Sequence, residues 1–249
     1  MRTIMPPGPD PRGPETAIDR TTRRLLLCGV VAGPLFVVAF LVQGALKAHY
    51  DPLRHPISSL ALGPFGWVQT ANFVIAGVLS LAFAAGMRRA LRGSSSARGA
   101  RWGPILVGAW GVMLVGAGVF TTDPVSGYPP GTPDQMAEYS SVPALLHDLL
   151  SMPGFAALAC ACVVFAVRFA GTRRLLWACY SAVSAGAFAV MLELSTLGFD
   201  QTASLVAYGG LFQRISVTMG WAWLTFLAAH LLRHQRDGHE RGGHAAASG

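Results

Sequence analysis

Six long apolar runs decide what this chain can fold into. They cover 25–46, 67–87, 102–120, 149–167, 175–195 and 211–232. Each is close to the roughly 20 residues that a helix needs to cross a hydrocarbon layer about 30 Å thick. Four of them contain no Asp, Glu, Lys, Arg or His. One such helix can sit at the centre of a water-soluble protein, but six in a chain of 249 residues cannot all be interior. The runs are continuous rather than alternating. That favours helices over barrel strands, the two backbones lipid tolerates. The expected fold is all-α: a polytopic membrane protein built as a six-transmembrane-helix bundle.

Charge supports this and sets an orientation. Only 12% of residues are charged, about half the usual share for a soluble domain, roughly 25%. This excludes an ordinary soluble enzyme and a basic nucleic-acid-binding domain. The net charge of +7 has another origin, visible in where the basic residues fall. Of 19 Lys and Arg, 16 lie before the first span, in the second and fourth loops, or after the last span. Only Lys47, Arg54 and Arg214 fall on the other side. Cytoplasmic loops carry the excess of Lys and Arg, so both termini are expected in the cytoplasm of a cell whose plasma (inner) membrane holds the protein. Its expected partners are membrane lipids, with no nucleic acid.

The ends and connectors read as polar linkers. Residues 1–24 are rich in Pro and Arg and lack the apolar core of a cleavable signal peptide. They read as a disordered cytoplasmic arm before a membrane domain at 25–232. Residues 233–249 read as a disordered cytoplasmic tail, with His234, His239 and His244 as polar tail residues. Arg92-Gly93-Ser94-Ser95-Ser96 reads as a flexible connector. Cys160, Cys162 and Cys179 lie within spans and Cys28 near the end of the first. All four read as small packing residues rather than a disulfide framework. Gly29 and Gly33 form a Gly-x-x-x-Gly that permits close helix contact.

On that topology the unusual polar residues gather at one end of the bundle. The first loop carries His55, Ser58 and Ser59, and Pro56–Leu62 reads as a short interfacial helix. Gln69 and Asn72 start the second span, and Asp123 follows the third. His147-Asp148 opens the fourth, Glu193 ends the fifth, and Arg214 begins the sixth. An ionisable group inside a span is costly and favours pairing within the bundle. Arg214 is therefore expected to pair with Glu193 or Asp123. Loop polarity near headgroups and ordinary turn chemistry explain several of these residues equally well.

The order His-Pro-Ile-Ser-Ser-Leu-Ala-Leu-Gly-Pro-x-Gly-Trp-Val-Gln at 55–69, followed by Asn72-Phe73, resembles the bacterial and archaeal membrane family catalogued as domain of unknown function 998. Gly-Val-Phe-x-x-Asp-Pro at 118–124, Leu-His-Asp at 146–148 and Gln-Arg at 213–214 strengthen the likeness. It covers about residues 25–232. It implies a six-span integral membrane protein and marks His55, Ser58, Asp123, Pro124, His147 and Arg214 as pattern positions. It implies no activity.

Three functions remain open on the residues. The first is a lipid-associated protein with a polar pocket on the extracytoplasmic side. The second is an outward-facing hydrolase acting on lipid, with His55, Ser58, Asp123, His147 and Asp148 as candidate catalytic residues. In that reading zinc is the one cofactor the donors admit. The Ser, His and Asp inventory is reminiscent of the seven-span hydrolase superfamily that includes alkaline ceramidases. Its late His-x-x-x-His, however, finds a match only in His230 and His234, at the opposite membrane face. The third is a small-molecule transporter or binder, although no broken-helix pair or convincing inverted repeat is present. The sidedness is directly testable: phosphatase fused after residue 232 stays inactive and green fluorescent protein fused there fluoresces, if the arginine bias orients the bundle.

Overall fold

The computed structural model describes residues 14–92, 97–135 and 139–247, with side chains over 20–92, 99–135 and 139–234. Its described residues form six α-helices and no strand. They are α1 (Pro14–Leu46), α2 (Gly66–Ala90), α3 (Ala97–Val119), α4 (Val142–Gly171), α5 (Leu175–Phe199) and α6 (Gly209–Ala247). All six contain a segment long and apolar enough to cross a membrane. The protein is a six-span helical bundle. Each helix packs on its chain neighbours, and α6 closes the ring against α1 while also touching α2 and α4. Large apolar side chains such as Val38, Leu41, Val112, Val163, Val183 and Phe226 point outward, as lipid contact requires.

Helices α2, α3 and α5 begin and end within five residues of where hydropathy puts them, whereas α4 begins earlier, at Val142, where a local start signal lies. Ser141 caps α4, its hydroxyl accepting from Ala144 N–H at 3.2 Å, and Pro143 occupies the first turn, where a missing N–H is harmless. Pro56–Leu62 forms a short 3₁₀ helix at Ile57–Ala61. It lies directly against the start of α2. A Cβ at Gly66 would meet Ala61 O at 2.0 Å, so only glycine admits that approach.

Helix α1 already begins at Pro14 and α6 continues to Ala247, while residues 1–13, 248 and 249 lie outside the described residues. Extending an existing helix fixes one residue per added hydrogen bond, without a new nucleus. The Glu, Arg and Ala of both ends are good helix formers. Of the second-loop connector, Gly93–Ser96 lies outside the described residues.

Small residues let the helices close up. Gly29 faces Phe83 and Ala228, and Gly33 faces Thr225 and Trp221. The Gly-x-x-x-Gly of α1 is thus filled by α2 and α6. Cysteines conform less uniformly to a packing role: Cys162 is buried, but Cys160 and Cys179 lie on the outer surface, and all four are free thiols.

An aromatic chain runs through the centre and touches all six helices. Phe36 of α1 meets Phe73 of α2 at 5.5 Å and Trp221 of α6 at 5.3 Å between ring centroids. Trp221 meets Trp110 of α3 at 5.6 Å. Trp110 meets Phe155 of α4 at 5.7 Å, which meets Phe188 of α5 at 6.2 Å. These separations suit edge-to-face and tilted contacts. The layer divides the bundle interior into two halves.

The most extensive helix seam joins α2 and α3. A Cβ at Gly77 would lie 2.7 Å from Val115 Cγ2 and 2.8 Å from Gly111 O. Gly77→Val therefore overpacks against backbone and lowers stability by about 2 kcal/mol, read as a lowered thermal midpoint in detergent. Gly186→Ala on α5, where a Cβ meets open space, leaves the midpoint unchanged or raises it.

Candidate functional site

The loops after α1, α3 and α5 interlock at one end of the bundle. Arg54 ties the first to the second of these: its Nε donates to Ser126 O at 3.1 Å and its Nη2 contacts Asp134 Oδ1 at 2.7 Å. Gln201 Nε2 reaches Asp134 O at 3.2 Å from the third. Tyr50, His55 and Tyr128 stack mutually at 5.1–5.4 Å between centroids. Beyond Gly127, Met136–Glu138 lies outside the described residues.

Arg214 holds the first loop down on α6. It is only 8% exposed. Its Nη1 donates to His55 O at 3.0 Å and to Gly210 O at 2.9 Å, and its Nη2 donates to the Tyr50 hydroxyl. The guanidinium lies over the Phe40 and Tyr50 rings at 5.9 and 5.4 Å. Two further bonds run alongside, Leu211 N–H to Leu53 O at 2.8 Å and Ile57 N–H to the Gln213 side-chain Oε1 at 2.7 Å. Burial pushes the Tyr50 phenol up to about 12 against the opposing pull of Arg214, so it stays neutral and serves as a polar acceptor.

This corrects the expected ion pair. Arg214 pairs with neither Glu193 nor Asp123. Glu193 lies on the exposed face of α5, the face of Gly186 and Val190. Asp123 turns to the α4 cap: it accepts from Ser140 N–H at 2.7 Å, from the Ser140 hydroxyl at 2.6 Å and from the Ser141 hydroxyl at 3.1 Å. Partial burial raises its pKa, and these bonds outweigh that and hold it below the ordinary carboxylate value. A buried guanidinium needs acceptors, and a loop carbonyl, a carbonyl of α6 and the Tyr50 hydroxyl supply them without a second charge.

Beneath the interlocked loops lies a cavity of about 730 Å³, within the usual size of small-molecule sites. Its floor is the upper side of the aromatic layer, with Phe36, Phe73, Trp110 and Phe155. Its mouth is polar and includes Ser58, Asp123, Tyr139, His147, Asp148 and Asp200. His147 is only 6% exposed, with Nδ1 2.8 Å from Phe120 O. A carbonyl partner makes Nδ1 the protonated nitrogen and leaves Nε2 as an acceptor. Asp148 Oδ2 accepts from the Tyr139 hydroxyl at 3.0 Å. Burial first, and then the Asp148 charge, raises the Tyr139 pKa.

Of the candidate catalytic residues, Ser58, Asp123, His147 and Asp148 thus line one cavity, and His55 does not. His55 Nδ1 instead accepts the Asp51 N–H at 2.9 Å. Burial lowers its pKa, with Asp51 opposing. Gln69 and Asn72 also stand apart: Gln69 Oε1 accepts from Gln43 and Asn72, and Asn72 Nδ2 also reaches Phe36 O at 3.2 Å. Among the described residues the cavity shows no Ser–His–Asp relay: Asp123 is bonded to serines of the cap rather than to either histidine. Among the described residues no three His, Cys, Asp or Glu side chains converge. His230 and His234, at the far end, both turn Nε2 to Arg174 Nη1, 2.9 Å from His230. The sequence reading passed over Tyr50, Tyr128 and Tyr139. Their signal was aromatic residues within otherwise turn-forming loops.

These features define a helical integral membrane protein of six spans with a cavity roofed by three loops. The chain belongs to the family described as Protein of unknown function (DUF998), whose model matches residues 30–230. Among curated proteins and among solved structures none matches it.

Replacing Arg214 by leucine strips donors from His55 O and the Tyr50 hydroxyl and leaves the loop carbonyl buried. A loss of about 3 kcal/mol is expected, seen as a lowered thermal midpoint and as trypsin cleavage after Lys47 or Arg54 at protease levels the native protein withstands.

Proposed function

We propose that the protein binds a single amphipathic molecule, of the size and character of a membrane lipid or a lipid-like metabolite, in the cavity beneath its loops. The observation carrying this reading is the gradient within that cavity, from carboxylates and hydroxyls at the mouth to Phe36, Phe73, Trp110 and Phe155 at the floor. Such a site gives each end of an amphiphile its own solvent: apolar area is removed from water below, and polar groups keep hydrogen-bond partners above. The arginine bias puts this mouth on the extracytoplasmic side of the plasma membrane, with both termini in the cytoplasm.

Binding is favoured over catalysis because the hydrogen bonds of Asp123 and His55 serve the loops. Binding is favoured over passage because the floor is backed by fully buried Trp221, Trp223, Phe165 and Phe83. Membrane lipids are the natural source of the occupant, reaching it from the surrounding leaflet.

Native mass spectrometry of protein extracted in mild detergent tests this. One amphiphile per chain is expected to remain bound, and to be lost in Ser151→Phe, which fills the cavity wall at a buried position, while circular dichroism and thermal midpoint show the variant folded. Equal occupancy in the two proteins, or none in either, overturns the reading.

A further inference from the structure

We infer that the cavity selects its occupant by the head: it takes an amphiphile ending in a protonated amine and rejects anionic heads. This rests on the amphiphile-binding reading above and adds to it the chemistry of the polar end.

The charges at this end of the bundle are sorted. Its basic residues are Lys47, Arg54 and Arg214, and each is turned onto protein acceptors away from the cavity. Lys47 Nζ donates to Leu60 O at 2.6 Å. Arg54 bridges Ser126 O and Asp134. Arg214 is buried against His55 O, Gly210 O and Tyr50. None of the three lines the cavity, whereas Asp123, Asp148 and Asp200 do. An anionic head would meet three carboxylates and no cation, an arrangement that rejects as well as selects.

The second observation is His147. It is 6% exposed, it forms part of the cavity wall, and Phe120 O engages its Nδ1. Nε2 is therefore an acceptor without a partner among the described residues, on a side chain that lines the cavity. Nε2 is open to the cavity rather than sealed among protein atoms, so a donor of the occupant can reach it. Asp148 is the next residue, and one of its oxygens already takes the Tyr139 hydroxyl. An ammonium group carries three N–H donors and no acceptor. It can address Nε2 of His147 and the Asp148 carboxylate together, while its alkyl chain lies on the aromatic floor. A hydroxyl head has one donor for these acceptors, and a carboxylate or phosphate head has none when fully ionised.

Protein in phosphatidylcholine nanodiscs is incubated with radiolabelled dodecylamine, dodecanol or dodecanoate, and binding above that of empty nanodiscs is counted. Unlabelled ethanolamine is added as a competitor without a chain. The amine is expected to half-saturate at about tenfold lower concentration than the alcohol, a difference one charge-assisted hydrogen bond supplies. Dodecanoate should bind more weakly still. Asp148→Asn and, at an exposed position, Asp200→Asn should each reduce the amine preference while alcohol binding persists. Equal binding of the three chains, or tightest binding of dodecanoate, overturns the head selection and leaves amphiphile binding standing. No specific binding of any chain overturns both. Competition by ethanolamine as strong as by unlabelled dodecylamine identifies a site for free amines; it overturns the amphiphile and keeps the selection.

Discussion

One guanidinium organises the loop-bearing end of this bundle. Arg214 sits on the sixth residue of α6, roughly 8 Å along the helix axis from its start. From there it reaches a carbonyl of its own helix, a carbonyl of the first loop and a tyrosine hydroxyl. A charge in such surroundings is tolerable only when its donors are met. The first loop is thereby fixed as part of the membrane domain. With it come Tyr50 and His55, which stack on Tyr128 and so bring in the loop after α3. The roof of the cavity is therefore built outward from one buried cation.

The floor has a different physical origin. Lipid gives helices no hydrophobic reason to associate with each other, so shape and contact must hold them. Here glycines allow close approach where α2 meets α3 and where α1 meets α6, and a run of six aromatic rings fills the middle. The rings are bulky enough to keep the helices apart above them. The space left between that layer and the loops is the cavity. Packing and cavity are consequences of the same side chains.

How much of this was legible in the sequence follows from what each property depends on. Span number and limits depend on runs of residue type, and hydropathy reads those directly. The polar gathering at one end followed from loop order alone. Which polar groups meet did not. Helix α5 is apolar around its whole circumference, so no moment fixes its phase, and Glu193 turned out to share a face with Val190 and Gly186 rather than with the interior. Arg214 misled for a related reason. A charge-pairing rule counts carboxylates, but its partners are a tyrosine hydroxyl and two main-chain carbonyls, one in the first loop and one in α6, and carbonyls are groups that every residue has and no sequence distinguishes. His55 was singled out by its motif, yet its ring nitrogen serves the turn beginning at Asp51. Ser58, Asp123, His147 and Asp148 do share a cavity, because loop ends and helix starts had nowhere else to converge. The aromatic floor was hidden in plain view, since Phe and Trp in apolar spans look alike whether they face lipid or each other.

The neutral phenol beside Arg214 has an electrical implication. With Tyr50 unionised, the guanidinium keeps its full positive charge, and no carboxylate is hydrogen-bonded to it. Its field spreads through a medium that screens poorly. Peeling the first loop off α6 would take from this charge the carbonyl and the hydroxyl that answer it, so the loop is held by an electrostatic cost as well as by its packing.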